Sequence, residues 1–189
     1  MPPKVKVSKE DIVKTAVKLV REGGAESINA RAVASALNCS TQPIFSNFAT
    51  MDDLEKEIIE HAYGLYGDFI KREIECEKYP KYKAFGMAYI RFAKEEKELF
   101  KLLFMRDRSD EDTSPSSDFE ESVRMIMEIN SLSYEKATLM HLELWACVHG
   151  IGTMLATSFL SLDWNLISDM ISDVYNGVVL RQKAEGNRK

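Results

Sequence analysis

A chain of 189 residues, 45% of them hydrophobic and with only five Pro and nine Gly, has enough apolar material for a sizeable core. The formal charge of −5 argues against a protein that coats nucleic acid over its whole surface, but the charge is uneven. Residues 1–50 carry seven Lys or Arg against four Asp or Glu, a balance of +3 that leaves −8 on the remainder. A basic end on an acidic body suits a molecule that meets phosphate at one end only. Cys39, Cys76 and Cys147 are odd in number and widely spaced, so they form neither a disulfide framework nor a zinc motif. No run reaches roughly 18 apolar residues, and the opening MPPKVKVSKED lacks the apolar stretch of a signal peptide, so a cytoplasmic protein without membrane contact is expected. Leu, Ile, Met and Ala recur at helical spacing among Lys and Glu, which predicts an all-α fold of about nine helices.

Residues 1–7 are basic and irregular, with Lys4 and Lys6 as a candidate arm along DNA. Ser8 and Asp11 have the spacing of a reciprocal cap. The first helix then carries Ile12, Ala16, Leu19 and Val20 on one face and stops at Gly23–Gly24. In the next stretch, NARAVASALNCSTQPIFSNF, Asn29 can cap a short helix with Val33, Ala34 and Leu37 on its inner side. Asn38 tolerates the left-handed backbone a sharp turn needs. Ser40 is placed to cap a second helix, Pro43 lies in its first turn, and Ile44 and Phe48 can anchor it. Thr41, Gln42, Ser46 and Asn47 are left outside. This is the pattern of a helix-turn-helix whose second helix offers hydroxyl and amide groups to a major groove and its N-terminus to phosphate.

The flanking residues sharpen this reading. Arg31, Val33, Ala34, Ser40, Ile44, Phe45, Phe48 and Leu54 match or conservatively replace a pattern close to T-x-R-x-I-A-x-x-A-G-V-S-x-x-x-L-Y-x-H-F-x-x-K-x-x-L, and over about the first 65 residues the chain resembles the TetR family of transcriptional regulators. Asn29, Leu37, Asn38, Cys39 and Asn47 are departures that a cap, a turn, a core or a neutral phosphate donor can absorb. Met51 stands where the family has a phosphate-contacting Lys, so a lower affinity and a shallower salt dependence are expected. The resemblance implies a small three-helix DNA-binding module over residues 1–50, with a linking helix begun to about residue 65, and a helical regulatory and dimerisation domain over 51–189. The candidate DNA-contacting residues are Arg31, Ser40, Thr41, Gln42, Pro43, Phe45, Ser46 and Asn47. Thr41, Gln42 and Ser46 are assigned to bases; Arg31, Ser40, Phe45 and Asn47 are assigned to the backbone.

A long helix follows from about Met51 to Cys76, with a Thr50–Asp53 cap and Leu54, Ile58, Ala62, Leu65, Phe69 and Ile70 on its apolar face. Gly64 and Gly67 interrupt it, as a bend or as points of close packing. Further helices are predicted over 81–95, around 99–104, over 119–130, from Tyr134 to about Leu160 behind a Ser133 cap, and from Asp163 to about Leu180, with the tail KAEGNRK fraying. Residues 106–118 are polar and acidic and read as a loop; Asp107, Asp110, Glu111 and Asp112 lack calcium-loop spacing.

The segment LWACVHGIG resembles a W-x-x-x-H-G motif of one TetR subgroup, and His141, Trp145 and His149 fall on one helix face. Tyr66, Tyr89, Phe92, Met105, Met127, Trp145 and His149 are the candidate lining of a pocket for a small, largely apolar effector, a reading carried mainly by the resemblance. Ordinary core packing is the competing reading for each. The resemblance also implies a homodimer through a four-helix bundle of the last two helices, with Gly152, Ala156, Phe159, Ile167, Met170, Ile171, Val174 and Val178 as candidate interface residues. A two-fold dimer would read an inverted-repeat operator, and repression relieved by the effector is the family's usual mode. No metal ligand set, cofactor motif or catalytic constellation is found: there is no H-E-x-x-H and no phosphate-binding Gly loop, and no Glu lies three residues before a His. An enzyme is therefore not expected. A helical ligand-binding or interaction module without DNA reading is the alternative.

Overall fold

The computed structural model describes residues 7–109 and 116–186, with the side chains of 185 and 186 left aside. Lys4, Lys6, Asp110, Glu111 and Asp112 and the last three residues lie outside the described residues. Among the described residues the protein is all-α, with nine α-helices and no strand. The order is α1 (Lys9–Gly23), a 3-10 turn (Ala25–Ser27), α2 (Ala30–Ala36), α3 (Gln42–Asn47), α4 (Met51–Glu75), α5 (Lys81–Glu95), α6 (Lys97–Phe104), α7 (Ser117–Asn130), α8 (Tyr134–Ala156) and α9 (Trp164–Gly186). No described helix is long and apolar enough to cross a membrane.

The chain divides into two compact units that do not follow chain order. The first comprises Met1–Asp68 with Glu95–Arg106, so α6 folds with α1 to α3 and most of α4. Its core is Ile12, Ala16, Val17 and Val20 from α1, Val33 and Ala34 from α2, Ile44 and Phe48, Leu54 and Ile58 from α4, and Leu99, Phe100 and Leu103 from α6. Each fully buried aliphatic side chain contributes about 1.5–3 kcal/mol relative to exposure. The second unit comprises Phe69–Lys94 with Asp107–Lys189. In it Val123, Ile126, Ala137, Met140, Leu144 and Val178 bring α7, α8 and α9 together. Gly86 lets α5 approach α8 closely: a Cβ added there would lie 3.2 Å from Cγ2 of Val148.

Helix ends obey local chemistry. Ser8 and Asp11 cap α1 reciprocally, as do Thr50 and Asp53 at α4 (3.0 and 3.1 Å). The helix from Tyr134 stops at Ala156 rather than near Leu160, because Ser158 turns left-handed (φ 56°), the Phe159 N–H donates to the Met154 carbonyl and the Ser158 N–H to that of Leu155. In the other direction, α9 runs past Leu180 to Gly186, so KAEG is helical rather than frayed. Neither Gly64 nor Gly67 is a point of close packing, since a Cβ on either would meet nothing within 4 Å.

The turn after α2 has the same form as that after α8. Asn38 sits at φ 52°, with Cys39 N–H on the Ala34 carbonyl (3.0 Å) and Asn38 N–H on that of Ser35 (3.1 Å). Asn38→Val should cost about 1–2 kcal/mol of stability, whereas Asn38→Gly should cost little. Urea denaturation of the two variants beside wild type measures the difference.

Candidate nucleic-acid interface

The 3-10 turn after Gly24 leads into Asn29, whose extended backbone and side-chain oxygen start α2; Oδ1 accepts from the Ala32 N–H at 2.9 Å. Val33 and Ala34 are buried and face the core, Leu37 is half-buried, and Arg31 points outward. The Asn38 turn then reverses the chain in three residues. The second helix begins one residue later than expected: Thr41, not Ser40, is the N-terminal boundary, and its side chain makes no capping bond. Thr41 is already in helical conformation (φ −71°, ψ −13°), and its carbonyl accepts from Ile44 (3.1 Å) and Phe45 (3.3 Å). Ser40 is therefore an exposed turn residue rather than a cap. Pro43 sits in the first turn, where its missing N–H is not needed.

Ile44 is fully buried and Phe48 nearly so, which fixes the rotation of α3. Gln42, Phe45, Ser46 and Asn47 are consequently exposed, and Thr41 and Pro43 half so. Phe45 keeps 51% of its surface in water, beside the hydroxyl and amide groups of α3. Two of the outward groups are tied down: Ser46 Oγ donates to the Gln42 carbonyl (2.9 Å), and Asn47 Nδ2 donates to the Pro43 carbonyl (2.7 Å). Ser46 is thereby left as an acceptor. Asn47 keeps one amide hydrogen and its oxygen. All eight candidate DNA-contacting residues lie in one short stretch of the first unit and none is buried.

The second unit contains a polar arrangement that spacing alone did not reveal. Tyr82 and Tyr89, two turns apart on α5, meet His141 and His149 on α8: Tyr82 Oη lies 2.9 Å from His141 Nδ1 and Tyr89 Oη 2.7 Å from His149 Nδ1. The order of the pairs makes α5 and α8 parallel. Trp145 stacks on His149 (centroids 5.4 Å apart, planes at 27°), and Phe119 meets the His141 ring edge-on at 4.8 Å. A second ladder joins α5 to α9. Lys83 Nζ donates to Ser168 Oγ (2.7 Å) and Ser172 Oγ (2.8 Å), while the Arg91 guanidinium bonds the buried Glu73 and covers the Trp164 ring. The sequence signal was the shared spacing of Trp164, Ser168 and Ser172, opposite Lys83 and Arg91.

The candidate effector residues are distributed unevenly. Tyr66 and Met105 belong to the first unit, and Tyr89, Phe92, Met127, Trp145 and His149 to the second. Met105 (41% exposed) and Trp145 (47%) face solvent rather than the interior. Phe92 packs edge-to-face on Phe69 (5.3 Å), and Met127 packs on the α7–α8–α9 core. A groove of about 470 Å³ is found elsewhere, lined by Lys9, Glu10, Val13, Glu57, Glu60 and His61. Its charged walls differ from those expected for an apolar effector.

Of the residues expected at a dimer face, Gly152, Ala156, Ile167, Ile171 and Val178 are buried within their own chain, Met170 and Val174 are half-buried, and Phe159 is 74% exposed. Both terminal helices are apolar on more than one side, so periodicity did not distinguish the face packed inward. The outward apolar side chains are instead Leu139, Leu142 and Trp145 of α8 and Leu166 and Leu180 of α9. Gly150, half-buried on α8, and Gly177, exposed on α9, have nothing within 4 Å of a built Cβ.

Residues 82–170 match the family described as Tetracyclin repressor-like, C-terminal domain. The chain also shares its fold with a solved protein of unknown function from Rhodococcus sp. RHA1, at 18% identity and a TM-score of 0.64, over 90% of this chain and 92% of that one. No curated protein matches.

Burial holds His141 and His149 below the ordinary imidazole value of 6.5. The unfolded chain therefore takes up protons that the folded chain refuses, so stability is full above about pH 6.5 and is lost as pH falls through the lowered values. Urea midpoints should fall between pH 7.5 and pH 5.5, and His141→Gln, which keeps an acceptor for Tyr82, should flatten that fall.

Proposed function

We propose that this chain is a TetR-family transcriptional regulator that reads an inverted-repeat operator as a homodimer and responds to a small, largely apolar effector, most simply as a repressor released by it. The observation that carries the proposal is the short α3 itself. Its inner side is fully spent on Ile44 and Phe48, and its outer side presents Thr41, Gln42, Phe45, Ser46 and Asn47 behind a left-handed Asn38 turn. The tetracycline-repressor-like match over residues 82–170 supports the same reading from the other end of the chain. In this reading Thr41, Gln42 and Ser46 meet base edges, and Arg31, Ser40, Phe45 and Asn47 meet the sugar–phosphate backbone. Pro43 sets the approach of the helix.

Selection of random duplex DNA by the purified protein should enrich an inverted repeat. On the enriched duplex Gln42→Ala should relax preference at one position of each half-site, worth about 1–3 kcal/mol of discrimination. Arg31→Ala should instead weaken all sequences about equally and lower the salt slope by about one. Identical behaviour of the two variants would refute the assignment of roles.

Self-association is supported by the outward Leu139, Leu142, Leu166 and Leu180 and by two helix-interior glycines, Gly150 and Gly177, whose entropic cost of about 1 kcal/mol each relative to Ala accompanies no close packing within the single chain. Close approach of a second copy would use both. Leu142→Glu should raise the dimer dissociation constant by at least about tenfold without lowering the helical content, because the side chain is exposed in the single chain. Sedimentation equilibrium with far-UV circular dichroism tests both halves of that statement.

The effector site is proposed in the second unit, around Tyr89, His149 and Trp145, with Phe92 and Met127 as further candidates. A phenol–imidazole pair beside an indole would offer such a ligand few polar contacts and a flat apolar ring. Effector binding would act by favouring a conformation with lower operator affinity.

A further inference from the structure

The geometry points to Arg21 as a positioning residue for DNA reading, acting through Glu96. This inference rests on the DNA-reading proposal. Six residues give α3 too few internal hydrogen bonds to fix its own direction, so its aim is that of α1, on which α2 and α3 pack. The buried side of α1, Ile12, Val13, Ala16, Val17 and Val20, seats it in the core, and the contacts at its two ends set its remaining tilt.

At the first end, Lys9 Nζ bonds Glu57 Oε1 of α4 at 2.6 Å, but both side chains are well exposed and such a pair yields readily. The other end is held differently. Arg21 makes two parallel bonds to one carboxylate, Nε to Glu96 Oε2 at 2.8 Å and Nη2 to Glu96 Oε1 at 2.7 Å. The Glu96 side chain is only 19% exposed, and its hydrogen bond holds the Arg21 guanidinium above its ordinary pKa. A two-bond fork of this kind fixes orientation as well as distance. Beside it Gly24, at φ 76°, leaves room for Glu98: a Cβ there would lie 3.1 Å from Glu98 Oε2.

Glu96 stands at the break before α6, with a backbone (φ −119°, ψ 54°) that belongs to neither neighbouring helix. A shift of that break is therefore delivered to one end of α1. The twelve helical rises from Lys9 to Arg21 make a lever of about 18 Å, along which the reading helix is carried. Arg21 touches no base in this assignment; it sets where α3 points.

The test uses the full-length protein and the duplex enriched by random selection, with binding followed by fluorescence anisotropy at several salt concentrations. Arg21→Glu and Glu96→Arg should each lower affinity by about tenfold, the size typical of coupled charge networks, and the double swap should restore most of it. The salt slope should stay at the wild-type value throughout, because no phosphate contact is lost. Arg21→Gln and Glu96→Gln, milder changes in the same pair, should show a smaller loss in the same direction should a reversal fail to fold. Affinity unchanged in folded variants whose melting temperature alone falls would overturn the inference, leaving the pair a structural tie. A lowered salt slope with no rescue by the swap would also overturn it, making Arg21 a direct phosphate contact. Wild-type protein that enriches no duplex would defeat the DNA reading itself, and this inference with it.

Discussion

The burial of Ile44 and Phe48 is the constraint on which the first unit turns. A helix of six residues is not stable in isolation, because its nucleation cost is spread over too few hydrogen bonds. Tertiary packing therefore has to supply both its existence and its orientation. Ile44 gives up all of its surface and Phe48 nearly all, and Lys9 lies over the Phe48 ring at 5.4 Å. Once those two side chains are committed inward, the remaining five helix positions and Thr41 are left wholly or partly at the surface. The Asn38 turn serves the same end. It satisfies two carbonyls at the close of α2 and leaves the chain pointed toward Pro43, whose fixed φ suits a first turn.

The second unit is held by polar contacts more than its composition suggests. Two phenols on α5 meet two imidazoles on α8, and α9 is stitched to α5 by an ammonium between two serine hydroxyls and by a guanidinium over an indole. These contacts specify register. An apolar seam tolerates sliding by a turn, whereas a Tyr–His pair misplaced by one residue leaves two half-buried polar groups unmatched. Burial keeps the imidazoles neutral, so the register is most secure where they carry no charge.

Much of this was legible in the sequence, for identifiable reasons. Asn29, Asn38, Thr50 with Asp53, and Ser133 announced their turns and caps because that chemistry is local, acting over three or four residues. The anchor pair of α3 and most of the inward side of α1 followed from the 3.6-residue period, although Val13 and Val17 are buried there and Leu19 only half so. The capping role given to Ser40 is not filled by either hydroxyl, because the helix boundary falls at Thr41, whose backbone is already helical and whose side chain makes no capping bond, and two adjacent hydroxyl residues before Gln42-Pro43 do not say where that boundary lies. The end of α8 came several residues early because a Schellman turn at Ser158 needs no glycine. What lay beyond local chemistry was the pairing of faces. Ile167, Ile171 and Val178 share a helix with Leu166 and Leu180, and only the presence of α7 and α8 decides which side is covered. The attachment of α6 to α1 was hidden for the same reason: Arg21 and Glu96 are 75 residues apart, and nothing in either neighbourhood names the other.

The two tryptophans of the chain, Trp145 and Trp164, both lie in the second unit, and each is in contact with a group of different charge behaviour. Trp145 stacks on a histidine, and Trp164 lies beneath a guanidinium and an ammonium, Lys94 Nζ being 4.7 Å from its ring centre. The molecule thus carries two optical reporters on one side of its division and none on the other. Emission changes report directly on events around α8 and the start of α9, with protonation of His149 at low pH expected to quench its stacked neighbour, while the helix-turn-helix carries no indole and needs a label or a backbone signal to be followed directly.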